Sequence, residues 1–288
     1  MIIADILKKE NIIRVAPEEH LSHCLARLST SHDAAFVFDD SKLLGVINPY
    51  YSLIKSSYPG NSKVIHCLHH PPRIYTDYSL EKAAELFIES KIHYLPVFDR
   101  NENFVGIVSA RRLLSHLGTL PIFKSKIETM FTFRRRPLTV VYEDETVMQA
   151  INVFRKTKFS KLVVIDRDFK LKGVLSYYDL ISFMMTSKDN PGRREKKGYK
   201  VHLGSHRVKN FMKTYVLTLK KDNLISDVFK LILDKKIGSV VIVDENKHPQ
   251  NIVTTRDLLR FYTFNQTFEI IRKIPAKIGK LLLRKSHQ

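Results

Sequence analysis

The sequence predicts a mixed α/β protein built from four copies of one β-α-β-β-α unit, and three observations carry that prediction. The chain repeats itself: FVFDDSKLLGVINPYYSLI, PVFDRNENFVGIVSARRLL, VVIDRDFKLKGVLSYYDLI and VIVDENKHPQNIVTTRDLL share one pattern. Each has an apolar strand closing on Asp, a short turn, a Gly or its equivalent, apolar pairs and a helix start. A helical periodicity precedes these strands, and the middle strands (Leu162 to Ile165, Val240 to Val243) are unbroken apolar runs. Unbroken runs suit strands covered on both faces.

The register is tight. Gly45, Gly106, Gly173 and Asn251 are spaced by 61, 67 and 78 residues, the last step containing an insertion. From the strand-ending Asp, the intervals Asp99–Gly106, Asp166–Gly173 and Asp244–Asn251 are each seven, and Asp39–Gly45 is six. In the second copy Leu80, Ala83, Ala84, Phe87 and Ile88 recur at helical spacing. Val147, Ala150, Ile151 and Phe154 do so in the third copy, and Ile225, Val228, Phe229, Ile232 and Leu233 in the fourth. Turn and capping residues lead in, Asp77 and Ser79 before Leu80 and Asp144 to Thr146 before Val147.

Composition bounds the rest. The 288 residues carry 48 Lys+Arg against 29 Asp+Glu, a formal charge of +19, and are 44% apolar and 27% charged, a globular balance. The excess charge suggests polyanions nearby: nucleic acid, acidic lipid or phosphorylated ligands. Two cysteines, Cys24 and Cys67, exclude a disulfide framework. No apolar run reaches the ~20 residues of a membrane span, and the N-terminus does not read as a secretory signal. The expected compartment is the cytoplasm.

The β-α-β-β-α repeat with its PVFD-turn-GIVS ending resembles the cystathionine β-synthase (CBS) domain. Four copies, at roughly residues 1–57, 64–118, 127–185 and 208–264, would form two tandem pairs, or Bateman modules. The expected units are an N-terminal pair over 1–120 and a C-terminal pair over 121–288. The latter would carry a basic insertion at 187–207 and a basic tail at 265–288. The layout is similar to that of the nucleotide-sensing γ subunit of AMP-activated kinase, which implies a flat, pseudo-symmetric disc.

In nucleotide-binding members of that family the last strand enters the second helix through G-(I/V)-(I/V)-(S/T)-x-x-D. The Asp binds ribose hydroxyls, and the Ser/Thr with nearby N–H groups faces phosphate. The chemistry is sound in itself: a carboxylate can accept from both cis hydroxyls, and a helix N-terminus stabilises phosphate. The third copy, Gly173 to Asp179, matches fully, and the fourth, Asn251 to Asp257, matches apart from Asn. The second places Arg112 at the Asp position and the first Tyr51. The resemblance therefore implies ribose on Asp179 and Asp257, with phosphate near Ser176, Thr254, Arg256 and Lys161. The base would lie where Pro137-Leu138-Thr139 meets Ser160-Lys161-Leu162, and where Tyr215-Val216-Leu217 meets Gly238-Ser239-Val240. The plainer alternative is that Asp179 and Asp257 cap their helices, with Ser176 and Thr254 as N-caps. Arg112 is either a solvated helix charge or a cation reaching a neighbouring repeat's phosphate.

Three basic stretches remain: Arg134–Arg136, which could face a bound phosphate, the segment Arg193–Lys200 inside a Gly-containing loop, and the tail from Arg272 to Lys285. The tail reads as a docked helix interrupted at Pro275. The groups His20-His23-Cys24 and His66-Cys67-x-His69-His70 lack the spacing of a zinc site, so no metal is expected. No nucleophile elbow, Walker A sequence, H-E-x-x-H or C-x-x-C occurs. The expected function is a non-catalytic sensor of an adenosine ligand that modulates an effector protein. AMP stands first, with ADP, ATP or S-adenosylmethionine behind it. A nucleic-acid-binding protein and a homodimerising scaffold are the alternatives.

Overall fold

A computed structural model of the protein describes residues 1–28, 34–90, 92–118, 120–132, 138–186 and 204–273. It contains four three-stranded sheets, one per repeat, in which the first strand pairs parallel with the second and the second antiparallel with the third. Repeat 1 is β1 (Arg14–Val15), α1 (Leu21–Leu28), β2 (Ala35–Asp39) and β3 (Lys42–Ile47), closed by a π-helical turn over Tyr50–Lys55. Repeat 2 is β4 (Ile74–Tyr75), α2 (Leu80–Ser90), β5 (Tyr94–Phe98), β6 (Phe104–Ser109) and α3 (Ala110–Leu117). A short α4 (Glu128–Thr132) leads to repeat 3: β7 (Val140–Tyr142), α5 (Val147–Thr157), β8 (Lys161–Ile165), β9 (Leu171–Ser176) and α6 (Ile181–Thr186). Repeat 4 is β10 (Thr218–Leu219), α7 (Ile225–Asp234), β11 (Ser239–Val243), β12 (Pro249–Thr254) and α8 (Thr255–Lys273). Helix α8 runs on to Lys273, past the expected end of the repeat at 264. Residues 134–136 and 187–203 and the tail beyond 273 lie outside the described residues.

The repeated residues have local reasons. The strand-ending Asp folds the hairpin turn onto itself. Asp99 Oδ1 accepts the N–H groups of Asn101 and Asn103, both at 2.9 Å, and Asp166 Oδ1 those of Asp168 and Lys170 at 3.0 and 2.9 Å. Asp244 Oδ1 does the same for Asn246 and His248 at 2.9 and 2.8 Å. Such a bond pattern is what makes Asp a turn residue. The repeated Gly answers a different demand: a lead-in segment crosses the third strand there. Ile107 N–H donates to the Lys8 carbonyl at 2.8 Å, Val46 to His69 at 2.9 Å and Val174 to Lys213 at 3.0 Å. A Cβ at Gly106 would stand 2.6 Å from the Lys8 oxygen, and one at Gly173 would stand 2.7 Å from the Lys213 oxygen. In the fourth copy Asn251 stands in this place, and its side-chain oxygen accepts the N–H of Ile252 at 2.9 Å.

The crossing segments exchange between the members of each pair. The turn Ile3–Ile6 docks on repeat 2, with Ile3 N–H on the Tyr78 carbonyl at 2.9 Å. The turn Val64–Cys67 docks on repeat 1 and Val208–Asn210 on repeat 3, Val208 N–H donating to Glu145 at 2.9 Å. Ile127 N–H reaches the Asn223 carbonyl of repeat 4 at 2.9 Å.

Packing closes the four repeats into a ring. Repeats 1 and 2 meet at Phe36, Phe38 and Phe104, with the Arg14 guanidinium 4.1 Å from the Phe38 ring centre. The sheets of repeats 3 and 4 meet at Val163, Ile165, Val241, Val243 and Ile252. The helices join the pairs to each other. One core unites repeats 2 and 4 around Phe87, Leu113, Phe123, Phe229 and Tyr262, and another unites repeats 1 and 3 around Leu25, Leu53, Phe154, Tyr177 and Met184. Polar contacts reinforce both seams: Tyr262 donates to Glu81 Oε1 at 2.6 Å, and Arg155 donates to the Ile54 carbonyl at 2.7 Å and to Ser57 Oγ at 2.9 Å. The helix layers are thus shared across the pairs.

Candidate functional site

The two motif aspartates arise at equivalent corners. At the end of β9, Ser176 N–H donates to Asp179 Oδ2 at 2.8 Å, and Ser176 Oγ accepts from Tyr178 N–H at 3.3 Å. At the end of β12, Asp257 Oδ2 accepts from Thr254 N–H at 2.9 Å and from its hydroxyl at 2.6 Å, while Thr254 Oγ1 accepts Asp257 N–H at 3.3 Å. Both carboxylates therefore take part in a helix cap. The cap is made through one oxygen of each carboxylate, Oδ2 in both.

The Asp257 corner borders a cleft among the described residues. Asp257, Thr254, Arg256 and Arg260 form one wall with Ile252, and Thr157 to Lys161 of repeat 3 form the other. The cleft is about 90 Å³. It joins predicted residues from two repeats: Asp257, Thr254 and Arg256 from the fourth, Ser160 and Lys161 from the third. The repeat 3 segment thus shares one cleft with the Asp257 corner of repeat 4. Lys158, Phe159, Ile252 and Arg260 were not singled out, since neither charge nor spacing distinguishes them.

The remaining base-region residues do not converge on this cleft. Leu162 and Val240 are buried in the two helix-layer cores, so neither side chain can sandwich a base without unpacking. Leu138 and Val216 pack at the seam between the sheets of repeats 3 and 4. The Leu217 carbonyl accepts Val241 N–H at 3.2 Å, and Ser239 pairs with Thr254 across the sheet. Tyr215 is 84% exposed. Thr139 is half-buried beside β7, and Pro137 lies outside the described residues. Gly238 faces Lys161: a Cβ there would stand 3.1 Å from the Lys161 ammonium nitrogen.

Cations gather at the inner end. Burial brings Lys161 down to about 8, against the pull of the Asp179 carboxylate and with the push of Lys213 and Arg111. Burial, with Arg256, Lys161 and Arg111 close by, lowers His93 to about 3 and keeps its ring neutral. Arg111, in the first turn of α3, donates to the carbonyls of Lys236 and Ile237 at 2.8 and 3.3 Å. So the N-terminal pair contributes His93 and Arg111 to the centre. Their signal in the sequence was register: His93 lies one 67-residue step before Ser160, and Arg111 stands where the fourth copy has Arg256. Arg112 is exposed, its N–H on Ser109 Oγ at 3.1 Å, a solvated helix charge. Tyr51 stacks on His69 with ring centres 3.6 Å apart at 11°, and its hydroxyl donates to the Ser90 carbonyl at 3.3 Å. Protein rings fill the first corner.

Among the described residues no three His, Cys, Asp or Glu side chains could hold a metal, and no helix is long and apolar enough to cross a membrane. The CBS domain family model matches residues 64–119, 132–186 and 208–263. An uncharacterised 33.4 kDa protein encoded in a ribosomal RNA operon of Thermofilum pendens is 26% identical over 191 residues, 66% of this chain and 60% of its own length. The 5′-AMP-activated protein kinase subunit gamma-3 of Sus scrofa is 27% identical over 195 residues, 63% of this chain but 36% of its own length. The matches thus span less than two thirds of either relative. Among solved structures, a Methanocaldococcus jannaschii protein described as an archaeal homologue of the γ subunit of AMP-activated kinase superposes with a TM-score of 0.77. It covers 91% of this chain and all of its own at 16% identity, a likeness of fold. The first repeat lies outside the family matches, yet its β1-α1-β2-β3 order and sheet pairing are those of the other three. The chain belongs to the CBS-domain family.

Proposed function

We propose that the protein is a non-catalytic, cytoplasmic regulatory sensor that binds an adenosine nucleotide in the Asp257 cleft and transmits its occupancy to an effector protein. One observation carries the reading: a single cleft brings together a carboxylate and hydroxyl for ribose, apolar Phe159 and Ile252 for a base, and Lys161 and Arg256 for phosphate. In that arrangement the Asp257 carboxylate accepts the ribose hydroxyls, and the segment from Phe159 into β8 borders the base. The α-phosphate points inward to Lys161 and Arg256, with Arg111 close behind. Charge ranks the ligands. AMP, ADP and ATP are anions that the central cations stabilise, whereas the sulfonium and ammonium of S-adenosylmethionine meet like charge. AMP is the first ligand to test, because the kinase γ relative is named for AMP activation.

A cleft of about 90 Å³ is smaller than the ~300 Å³ at the low end of ligand pockets, so binding moves side chains. Lys158 and Arg260, both exposed, are free of core packing and are the ones to move. The N-terminal pair (1–120), whose corners carry Tyr51 and Arg112, serves as scaffold and supplier of Arg111. The C-terminal pair (121–288) carries the ligand. Calorimetric titration with AMP, ATP and S-adenosylmethionine, beside Asp257→Ala, tests the proposal. Saturable binding of AMP or ATP that disappears in the variant is expected. Flat traces for all three would defeat the sensor reading. Salt-steep binding to DNA or RNA without adenosine dependence would put a nucleic-acid protein in its place.

A further inference from the structure

The corners of Asp179 and Asp257 are related by the exchange of repeats 3 and 4, and the segments across from them are related too. Thr157 to Lys161 faces Asp257; its counterpart one 78-residue step later is Lys235 to Ser239. The correspondence is structural as well as numerical, since Lys158 and Lys236 both adopt a left-handed backbone, at φ of 58° and 52°. Yet the two corners differ in what already occupies them. Lys213 places its ammonium 3.5 Å from Asp179 Oδ1, while Oδ2 holds Ser176 N–H, and the Asp179 side chain is 12% exposed. The Lys161 side chain starts on the wall of the Asp257 cleft, but its ammonium nitrogen lies against Gly238, where any side chain would crowd it. There it sits in the field of Asp179, on the counterpart wall. Arg111 holds the Lys236 and Ile237 carbonyls just before that glycine, which fixes the wall in place.

We infer that the Asp179 corner is closed by the chain's own lysines, Lys161 and Lys213, so that the C-terminal pair takes one nucleotide, at Asp257, although its sequence carries two ribose-binding aspartates. The inference rests on the proposed function and goes beyond it in naming the number of sites and the residue that sets it. The physical reason is competition for one carboxylate. A ribose diol brings Asp179 no charge, whereas Lys213 sets an ammonium 3.5 Å from Oδ1, the oxygen outside the cap, and Lys161 adds a buried positive charge nearby. Gly238 is what admits the Lys161 ammonium; the third repeat has Ser160 at that point, and the Asp257 cleft stays open.

The test is a titration of AMP into the full chain and three variants, with thermal melting to confirm that each is folded. Wild type is expected to bind one equivalent, and Asp257→Asn none. Asp257→Asn combined with Lys161→Met and Lys213→Met, which keep the stems and remove the charges, is expected to regain one equivalent. Adding Asp179→Asn to that combination should abolish it again. Two equivalents on wild type, one retained by Asp257→Asn, or a silent Asp257→Asn/Lys161→Met/Lys213→Met protein that melts as a folded one would each overturn the inference while leaving nucleotide sensing intact. No binding to wild type would instead remove the proposed function, and this inference with it.

Discussion

Replacing Gly106 by alanine measures how firmly a lead-in segment is locked across its partner repeat. The new Cβ would stand 2.6 Å from the Lys8 carbonyl oxygen and 2.9 Å from Leu7 Cδ1, at a residue with φ of +155°. The chain has two responses. It can keep the segment docked and carry strain: about 1–2 kcal/mol for an L-residue at positive φ and about 1–3 kcal/mol for overpacking against backbone, or about 2–5 kcal/mol together. Otherwise it can release residues 1–8. Release loses the paired bonds Lys8 N–H to Ile107 O at 2.9 Å and Ile107 N–H to Lys8 O at 2.8 Å, about 1 kcal/mol each. It also uncovers Ile3 and Ile6, both fully buried, at about 1.5–3 kcal/mol each. The sum, about 5–8 kcal/mol, exceeds the strain, so the segment stays docked and the protein loses about 2–5 kcal/mol. Urea unfolding should show a lower midpoint at unchanged slope. Gly204→Ala, with nothing within 4 Å of its new Cβ, is the control, expected within about 0.5 kcal/mol of wild type. A Gly106→Ala protein as stable as that control would refute the locked crossing. A reduced slope would show that release wins.

Other predictions follow from the centre and the seams. His93 is neutral in the fold, held down to about 3, while the unfolded chain protonates it near 6.5. Between those values the unfolded state binds more protons, so stability falls as pH drops below about 6.5, by up to about 1.4 kcal/mol per unit. His93→Gln should flatten that part of the pH–stability curve, and an unchanged curve would count against the buried neutral ring. Lys161, near 8, is partly deprotonated at mildly alkaline pH. A phosphate beside it restores its charge, so AMP binding between pH 8 and 9 should take up protons, seen as a buffer-dependent calorimetric enthalpy that Lys161→Met removes. Arg155→Ala opens the seam between repeats 1 and 3 by deleting its bonds to Ile54 and Ser57, and a loss of about 1–3 kcal/mol in chemical denaturation is expected.

Most of the fold is written locally. The Asp–Gly interval marks each hairpin because Asp99, Asp166 and Asp244 tie their own turns, and the apolar spacing of Leu80 to Phe87 or Val147 to Phe154 is the buried face of a helix. The motif aspartates are equally legible, since a cap and a ribose ligand demand the same residue at the same corner. What one repeat cannot reveal is its neighbour. Setting Ser160 and Lys161 opposite Asp257 requires the exchange of repeats 3 and 4, and bringing Arg111 and His93 inward requires the ring to close. The capping reading survives as well: Asp257 does cap α8, so removing it costs stability as well as affinity, and Asp257→Asn is the gentler probe.

The central claim is a location, and a crystal structure of the protein with AMP tests it most directly. The account predicts the ribose hydroxyls on the Asp257 carboxylate, the base between Phe159 and Ile252, and the phosphate turned toward Lys161 and Arg256, with Asp179 still paired to Lys213. Nucleotide bound on the outer basic surface, or at a corner other than that of Asp257, would contradict it.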